Sequence, residues 1–316
     1  MAYSAEALAF AKVPVSEQVR LEDRVSYAYI EYARIVQDRT GVVALGTEDG
    51  NLFRKTVQLP VGGMAVLMLG PGTSISAAAM TSCTRAGATV IFCGGGGVPA
   101  YSHATPLSSS AKWAIAQAKV VSDPALQLAV AKKLYVKQFG IPELGGATIR
   151  QLRGIEGQLM KRTYKELAQK YRVKGFRRDT DAQDAVNVAL NVCNSLIYGC
   201  AASVCAALGL NPALGVIHRG NVRALLFDLG DLYKPSVVLP AAFSCYLVQG
   251  EGDNFDSAKV ASAARHKMRR ELFRHGILPE MLAVTMGLFA PYLPSRDDDR
   301  IVDDEGEVPG HVQYGG

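Results

Sequence analysis

One histidine and two aspartates lie close together in residues 217–235, where the two aspartates interrupt an apolar run. His218 follows a second apolar run, and Asp228 and Asp231 are three residues apart, so a helix would place both carboxylates on one side. Carboxylates are rarely buried in apolar segments unless they are paired, hydrogen-bonded or bound to a metal ion. A hard divalent cation would satisfy all three side chains. The alternative reading of this stretch is an aspartate that caps a helix and a histidine in the core.

A further candidate acid, Glu156, lies between Gly154 and Gly157 in a pattern that predicts a helix. A glycine inside a helix costs about 1 kcal/mol relative to alanine, so this pair calls for a reason. Close approach of a substrate would be one reason, and packing of a neighbouring helix is the alternative. A site with several carboxylates and one imidazole suits Mg²⁺ or Mn²⁺ better than zinc, and such ions promote phosphodiester chemistry.

The basic residues provide the positive charge that a phosphodiester substrate requires. The net charge is only +5, but an acidic segment near the C-terminus masks a more basic remainder, with its densest run at residues 265–270. For each cationic side chain the alternative is an ordinary solvated helix face. The candidates for nucleic-acid contact are Arg177, Arg178, Arg219, Lys234, Arg265, Lys267 and Arg269.

Composition indicates a globular protein of 316 residues with 49% hydrophobic and 20% charged residues, long enough for two domains. The six cysteines form no CxxC pair and lie in apolar surroundings, which favours reduced thiols. The N-terminal residues lack the pattern of a signal peptide, and the apolar runs are interrupted by Gly, Asn or charged residues. We therefore expect a cytoplasmic protein with no membrane partner.

The order of the predicted elements gives an α+β fold. A strand is predicted from Val25 to Ile35, and the short strands that follow closely at residues 42–45, 52–59 and 64–69 predict a compact antiparallel unit. A small-residue helix at residues 75–85 and a strand at residues 88–92 come next. Helical patterns dominate after residue 110 and predict helices at residues 111–122, 123–139, 148–171, 181–210, around 222–246 and 256–275. The predicted organisation is a small β domain in residues 1–107, a larger all-helical catalytic domain in residues 108–294 and an acidic flexible tail in residues 295–316.

A nucleotide-binding enzyme is a less favoured class, because neither of the two glycine-rich loops has a phosphate-binding pattern. The loop at residues 70–74 has no lysine, which excludes a P-loop, and the cluster Gly94–Gly97 does not open a helix as a dinucleotide-binding loop does. Tight turns are therefore the better interpretation of both.

Several motifs make the chain resemble a known family. The segments QLRGIEG, GVIHRGN and FDLGDLYKPSVVLPAAF resemble the motifs around the metal-binding glutamate, histidine and aspartate of the CRISPR-associated integrase family, the larger of the two universal adaptation proteins. Upstream, EDRVSYAYIEYARI, LPVGGMAVLMLGPGTSIS and GATVIFCGGGGV are similar to its subtype I-E branch. The resemblance covers nearly the whole chain, with the three motifs in the family's order.

This resemblance implies metal ligands at Glu156, His218 and Asp231, with Asp228 as a nearby auxiliary acid. It further implies homodimers that bind a small adaptation partner protein and double-stranded DNA with free 3′ ends. The 3′-hydroxyl of the captured DNA would attack a phosphodiester at the end of a CRISPR repeat. Lys234 would lie near the phosphates, and Tyr32 would stack on the end of the captured duplex.

The chain also departs from the family pattern. Ser74, Thr81 and Asn221 stand where basic residues are expected, which leaves the DNA path less defined than the metal site. Without the resemblance, the residues favour a metal-dependent nuclease, then a non-catalytic DNA-binding scaffold with structural carboxylates.

Overall fold

The computed structural model describes residues 19–25, 27–48, 51–94, 102–104, 110–140, 148–182, 184–248, 256–294, 300–303 and 306–309. Strands dominate before residue 105 and helices dominate from residue 110 onward. The predicted α+β class, a small β region followed by a larger helical region, is confirmed. The predicted domain boundary at residue 107 falls outside the described residues, so the domain limits stay a prediction.

The β region contains two four-stranded sheets. The first has the order β1-β5-β7-β8 and the second the order β4-β3-β2-β6. In chain order the strands are β1 (Ala28–Ile30), β2 (Ala33–Asp38), β3 (Gly41–Glu48), β4 (Asn51–Leu59), β5 (Val66–Leu69), β6 (Ser74–Ile75), β7 (Thr89–Phe92) and β8 (Ser102–Ala104).

The prediction of an antiparallel unit was wrong for the first sheet. Strands β1, β5 and β7 run parallel, and only β8 is antiparallel to its neighbour. The helix α1 (Ala77–Arg85) lies between β5 and β7 and returns the chain to the same edge, which a parallel pair requires. The second sheet is antiparallel through β2, β3 and β4, while β6 pairs parallel to β2.

The predicted strand from Val25 to Ile35 is interrupted at Tyr32. Its φ of 50° places this residue in the left-handed region, which breaks the extended conformation. The residues before it form β1 of the first sheet, and those after it form β2 of the second. A single residue therefore divides the segment between two sheets.

Strand β5 is buried on both faces and joins two cores. Val66 and Met68 belong to the large core of the helical region, whereas Leu67 and Leu69 belong to the core between the sheets and α1. This division follows from the alternation of side chains along a strand. The first sheet therefore lies between the second sheet and the helices.

The helical region is close to the prediction. The helices predicted at residues 111–122, 123–139, 148–171, 181–210 and 256–275 are present with ends that differ by at most a few residues, whereas the last helix, near residue 280, was not predicted. In chain order they are α2 (Lys112–Ser122), α3 (Pro124–Phe139), α4 (Ile149–Lys170), α5 (Ala185–Leu208), α6 (Ala224–Asp231), α7 (Leu239–Ser244), α8 (Ser257–Arg274) and α9 (Ile277–Phe289).

The helical stretch predicted around residues 222–246 is not continuous. Helix α6 ends at Asp231, a π-helical turn covers Lys234–Val238, and α7 follows. Pro235 and Pro240 lack the N–H that a continuous helix needs, which explains the interruption. The π-helical turn begins three residues after Asp231.

Helix α5 is the centre of the helical region. By length and composition it is the one helix in the described ranges that could cross a membrane, but most of it is buried inside the protein. It contacts the first sheet directly, since the Ser203 hydroxyl donates to the Ala65 carbonyl over 3.2 Å. Its hydrophobicity is therefore that of a core helix.

Part of the tail has secondary structure. The strands β9 (Arg300–Asp303) and β10 (Gly306–Pro309) pair as an antiparallel hairpin, whereas the sequence predicts no element there. The rest of the tail, and the glycine cluster after Gly94, lie outside the described residues.

Candidate active site

His218 is fixed by the carboxylate of Asp228 on helix α6. The Nδ1 atom of His218 lies 2.8 Å from Asp228 Oδ1, and the side chain of Asp228 is fully buried. The same carboxylate accepts the backbone N–H groups of Val216, Ile217 and His218 over 2.5, 3.0 and 3.0 Å. These four bonds satisfy a buried charge that would otherwise be costly.

The loop before His218 is tight because of Gly215. A Cβ at this position would lie 2.3 Å from the His218 carbonyl oxygen and 2.8 Å from Cβ of Ala224. No residue with a side chain fits there. The glycine thus lets the loop fold back on α6 and present three amides to one carboxylate.

The contact with Asp228 decides which nitrogen of His218 is available. An ionised Asp228 accepts a hydrogen bond from Nδ1–H, which leaves the lone pair of Nε2 for a ligand or a proton. The hydrogen bond to Asp228 raises the pKa of His218 above its usual value, although burial opposes it, and Asp231 and Glu156 act in the same direction. Both predicted carboxylate ligands are thus near enough to influence this imidazole.

Asp231, at the end of α6, has two partners of its own. Its Oδ1 atom lies 2.7 Å from Nζ of Lys234 and accepts the Tyr198 hydroxyl over 3.2 Å. Burial lowers the pKa of Lys234, but the charges of Asp231 and Tyr198 and the hydrogen bonds to both together outweigh it, so the net shift is upward. Burial, helped by Asp231, raises the pKa of Tyr198 to about 12. Lys234 is therefore a cation and Tyr198 a neutral hydrogen-bond donor at neutral pH.

Glu156 is held by two residues of helix α3. Tyr135 donates to its Oε2 over 3.1 Å, and Gln138 donates to its Oε1 over 3.4 Å. Burial, together with the charge of Glu156, raises the pKa of Tyr135, which therefore remains a donor. Glu156 is on α4, so the predicted residues come from two helices, α4 and α6, and one loop.

The neighbouring glycines of α4 face open space. Nothing in the described residues lies within 4 Å of the position that a Cβ would take at Gly154 or Gly157. Within the described part of the chain, helix packing therefore does not explain these two glycines.

We predict that Gly154→Ala and Gly157→Ala each raise the free energy of unfolding by about 1 kcal/mol, because alanine has the higher helix propensity and meets no neighbour. Urea unfolding measures this change. Gly230→Ala is the matched control within a helix: its Cβ would lie 2.5 Å from the Tyr198 ring, and we expect a loss of stability. A loss at Gly157 as large as that at Gly230 would contradict the prediction.

The donor set is suited to a hard metal ion, but the three residues do not form a closed cluster. Among the described residues, no three His, Cys, Asp or Glu side chains lie close enough together to hold one ion. Asp231 is instead paired with Lys234, and Glu156 accepts hydrogen bonds from Tyr135 and Gln138. Asp228 is committed to the loop amides and to Nδ1 of His218, so it orients the histidine ring.

Several predicted DNA contacts are engaged within the protein. Arg178 donates to the side chains of Asn187 and Asn191 over 2.8 and 2.7 Å. Arg219 donates to Gln127 over 2.8 Å and to the Val121 carbonyl over 2.9 Å. Both guanidinium groups hydrogen-bond within the protein, although Arg219 is exposed, whereas exposed Arg177 has no side-chain contact of this kind among those described.

The remaining candidates are on helix α8, in the β region and at the active site. Lys267 lies 3.1 Å from Glu271. Arg265 is mostly buried against Tyr29, whereas Arg269 is exposed. Tyr32 is also exposed, and Lys234 lies beside Asp231.

We predict that Arg219→Ala lowers the free energy of unfolding by about 1 kcal/mol without changing the salt dependence of DNA binding, because its guanidinium holds the helix α2 terminus and Gln127. Gln127 in turn donates to the Val216 carbonyl in the loop before His218. Urea unfolding and DNA titrations at several salt concentrations test this prediction. The exposed Arg39 provides the control substitution, and a changed salt dependence with unaltered stability would identify a phosphate contact instead.

A family model described as "CRISPR associated protein Cas1" matches residues 35–140 and 140–275 of the chain. A CRISPR-associated endonuclease Cas1 from Thermus thermophilus is 32% identical over 96% of this chain and 94% of its own length. The chain belongs to the Cas1 family. The CRISPR-associated endonuclease Cas1 of Escherichia coli K12 is 31% identical over 71% of this chain and 74% of its own length.

Solved structures agree with this assignment to Cas1. A TtCas1–DNA complex superposes with a TM-score of 0.76 at 33% identity and covers 90% of this chain and 99% of that chain. A casposase bound to an integration product has a TM-score of 0.68 at 14% identity, with 86% and 92% of the two chains covered. The second likeness concerns the fold alone.

The sequence did not reveal the partners of the two carboxylates. Tyr135, Gln138 and Tyr198 carry no motif, and each lies in a helix where it resembles ordinary core composition. The signal that points to Tyr198 is Gly230, because a Cβ at that position would lie only 2.5 Å from the tyrosine ring. Such a pair is visible only once the helices are packed.

Proposed function

We propose that the protein is a divalent-metal-dependent DNA endonuclease and integrase of CRISPR adaptation, of the subtype I-E branch. In this function it joins captured double-stranded DNA with free 3′ ends to CRISPR repeat DNA. The observation that carries the proposal is the His218–Asp228 pair, which leaves Nε2 of the imidazole available in a region that also contains Glu156 and Asp231.

The chemistry of the three residues, and not their present spacing, suits a Mg²⁺ or Mn²⁺ ion. Glu156, His218 and Asp231 would provide two carboxylates and one imidazole, a donor set that these ions accept. When bound, the metal provides Lewis-acid stabilisation of charge at a phosphodiester. Asp228 holds the tautomer and orientation of His218, so we assign it a positioning role and not that of an acid.

Lys234 and Tyr198 would then act next to the substrate. The Lys234 ammonium lies 2.7 Å from Asp231 and is well placed to attract a phosphate oxygen once that carboxylate takes another partner. Tyr198 would continue to donate to Asp231 and fix its direction. The 3′-hydroxyl of the captured strand would attack the repeat-end phosphate, with the 3′-oxygen of the repeat strand as the leaving group.

The proposed partners are a second copy of the chain, a small adaptation partner protein and the two DNA substrates, in the cytoplasm. The motif resemblance supports these partners, and the solved TtCas1–DNA complex supports DNA as ligand. The exposed Tyr32 and Arg269 are suited to contact DNA at positions away from the metal ligands.

A second candidate function is a non-catalytic DNA-binding scaffold. The internal partners of Asp231 and Glu156 favour it, because both carboxylates are satisfied without a metal. A scaffold would bind DNA equally well with and without divalent ions and would join no strands.

The deciding experiment is strand joining by the full chain with its small partner, using a short duplex and a supercoiled plasmid with a CRISPR repeat. We expect joined product in Mg²⁺ or Mn²⁺ and none in EDTA. Glu156→Gln should abolish the product, whereas Glu166→Gln on the exposed face of α4 should not. DNA binding without joining in either metal would support the scaffold.

A further inference from the structure

Tyr32 combines an unusual backbone with an exposed ring. Its φ is +50°, and among the described non-glycine residues only Arg172 also has a positive φ. The side chain is exposed, with a relative accessible surface of 59% for the residue. A bulky residue keeps this conformation only where the surrounding structure imposes it, and such positions concentrate at functional sites. An exposed aromatic ring held in this way is suited to stacking on another flat surface.

The glycine loop at residues 70–72 provides that surrounding structure. The Tyr32 amide donates to the Pro71 carbonyl over 2.9 Å. A Cβ at Gly72 would lie 2.6 Å from Cδ1 of Tyr32, and a Cβ at Gly70 would lie 2.3 Å from the hydroxyl oxygen of Tyr29. The loop therefore packs closely against both tyrosines. This packing explains why glycines are needed here, whereas phosphate binding does not.

Arg265 of helix α8 completes this arrangement from the helical region. Its guanidinium lies 4.3 Å from the centre of the Tyr29 ring, and Nη2 lies 3.9 Å from Oε1 of Glu31. The Tyr29 hydroxyl donates to Oε2 of Glu31 over 2.9 Å. The backbone of Arg265 is fixed too, since its carbonyl accepts the Tyr27 hydroxyl. Glu31 is the residue directly before Tyr32.

We propose that Arg265, Tyr29 and Glu31 form a latch that positions Tyr32 for stacking on the terminal base pair of a DNA duplex. Arg265 is then a positioning residue that acts through Tyr29 and Glu31 and makes no phosphate contact. The inference rests on the proposed function, because it takes DNA with free ends as the ligand. It replaces the direct DNA contact that the sequence suggests for Arg265.

The surroundings of Arg265 support this role. Its side chain is only 16% exposed, with one face against an aromatic ring and a carboxylate at the edge, so few of its donors can reach a phosphate. Arg269, one turn further along α8, is exposed. The two arginines therefore form a matched pair on one helix. Arg265 is held by contacts within the protein, and Arg269 faces solvent.

The test uses the full-length protein and a blunt duplex with 2-aminopurine in the terminal base pair, whose fluorescence is quenched when an aromatic ring stacks on it. We expect Tyr32→Ala to abolish quenching and to weaken end binding by about 10-fold. Tyr29→Phe and Arg265→Gln should also reduce quenching, but leave the slope of log affinity against log salt unchanged. Arg269→Gln should lower that slope by about one and keep the quenching.

Two results would overturn the latch. One is a slope reduced by about one in Arg265→Gln with full quenching, which would make Arg265 a phosphate contact. The other is unchanged fluorescence in Tyr32→Ala, which would leave no stacking to position. If Arg265→Gln does not fold, Tyr29→Phe decides, since it changes no charge. Strand joining in the same samples is a separate readout: quenching without joining contradicts the proposed catalysis and not the latch.

Discussion

His218→Ala is expected to reduce strand joining by about 100-fold or more, with little change in DNA affinity. Removal of the imidazole takes away the nitrogen donor that the proposed metal site requires, and each tenfold loss of rate corresponds to about 1.4 kcal/mol of transition-state stabilisation. The affinity should persist because it depends on phosphate contacts elsewhere on the surface. Single-turnover joining and a filter-binding titration, measured on the same preparation, separate the two quantities.

The matched control for this variant is His275→Ala. That histidine is partly exposed and contacts Glu271 over 3.3 Å at the end of α8, so its removal should leave joining unchanged. Loss of the Asp228 contact also has to be separated from loss of the metal ligand. Binding of Mn²⁺, measured by electron paramagnetic resonance, should weaken in His218→Ala and remain in His275→Ala. Normal joining by His218→Ala would exclude the histidine as a ligand.

Asp228→Asn is expected to lower the free energy of unfolding by about 3 kcal/mol and metal affinity by about 10- to 100-fold. The buried carboxylate accepts three backbone N–H groups and the His218 ring, whereas an amide has one oxygen and places its own N–H₂ against these donors. The amide nitrogen also disturbs the tautomer that leaves Nε2 free. Urea unfolding gives the first quantity and a Mn²⁺ titration the second.

Asp256→Asn is the control for this change. Asp256 is an exposed N-cap that accepts from the Lys259 amide over 3.0 Å, and asparagine caps a helix about as well as aspartate does. We expect this substitution to change the free energy of unfolding by less than about 0.5 kcal/mol. An equally small effect at Asp228 would mean that its four hydrogen bonds do not determine the loop conformation.

The sequence was most informative where a signal is local. The helices with caps, such as the Thr148 and Asp184 caps of α4 and α5, begin within a few residues of the prediction because their end signals lie within one turn. The parallel pairing of β1, β5 and β7 was missed, since strand direction depends on contacts distant in the chain. The break at Tyr32 was missed because the alternating pattern continues through it.

The candidate site shows the same distinction. His218, Asp228 and Asp231 stand out because charged groups interrupt apolar runs, yet their spacing alone does not separate the carboxylate that orients the histidine from the one beside Lys234. That separation depends on the Gly215 loop, which directs three amides at Asp228 alone. The partners of Glu156 lie on another helix and have no sequence signature.

Helix α5 touches the first sheet and the active site through adjacent residues. Gly199 leaves room for Ile91 and Val66 of the sheet, with 3.3 and 3.6 Å to the position of a Cβ, while Tyr198 hydrogen-bonds to Asp231. The β region and the helical region are therefore not interchangeable modules. A chimera that joins this β region to the helical region of another Cas1 protein would need compatible side chains at positions 66, 91 and 199. A poor fit at Gly199 would displace the neighbouring Tyr198, whose hydroxyl fixes Asp231.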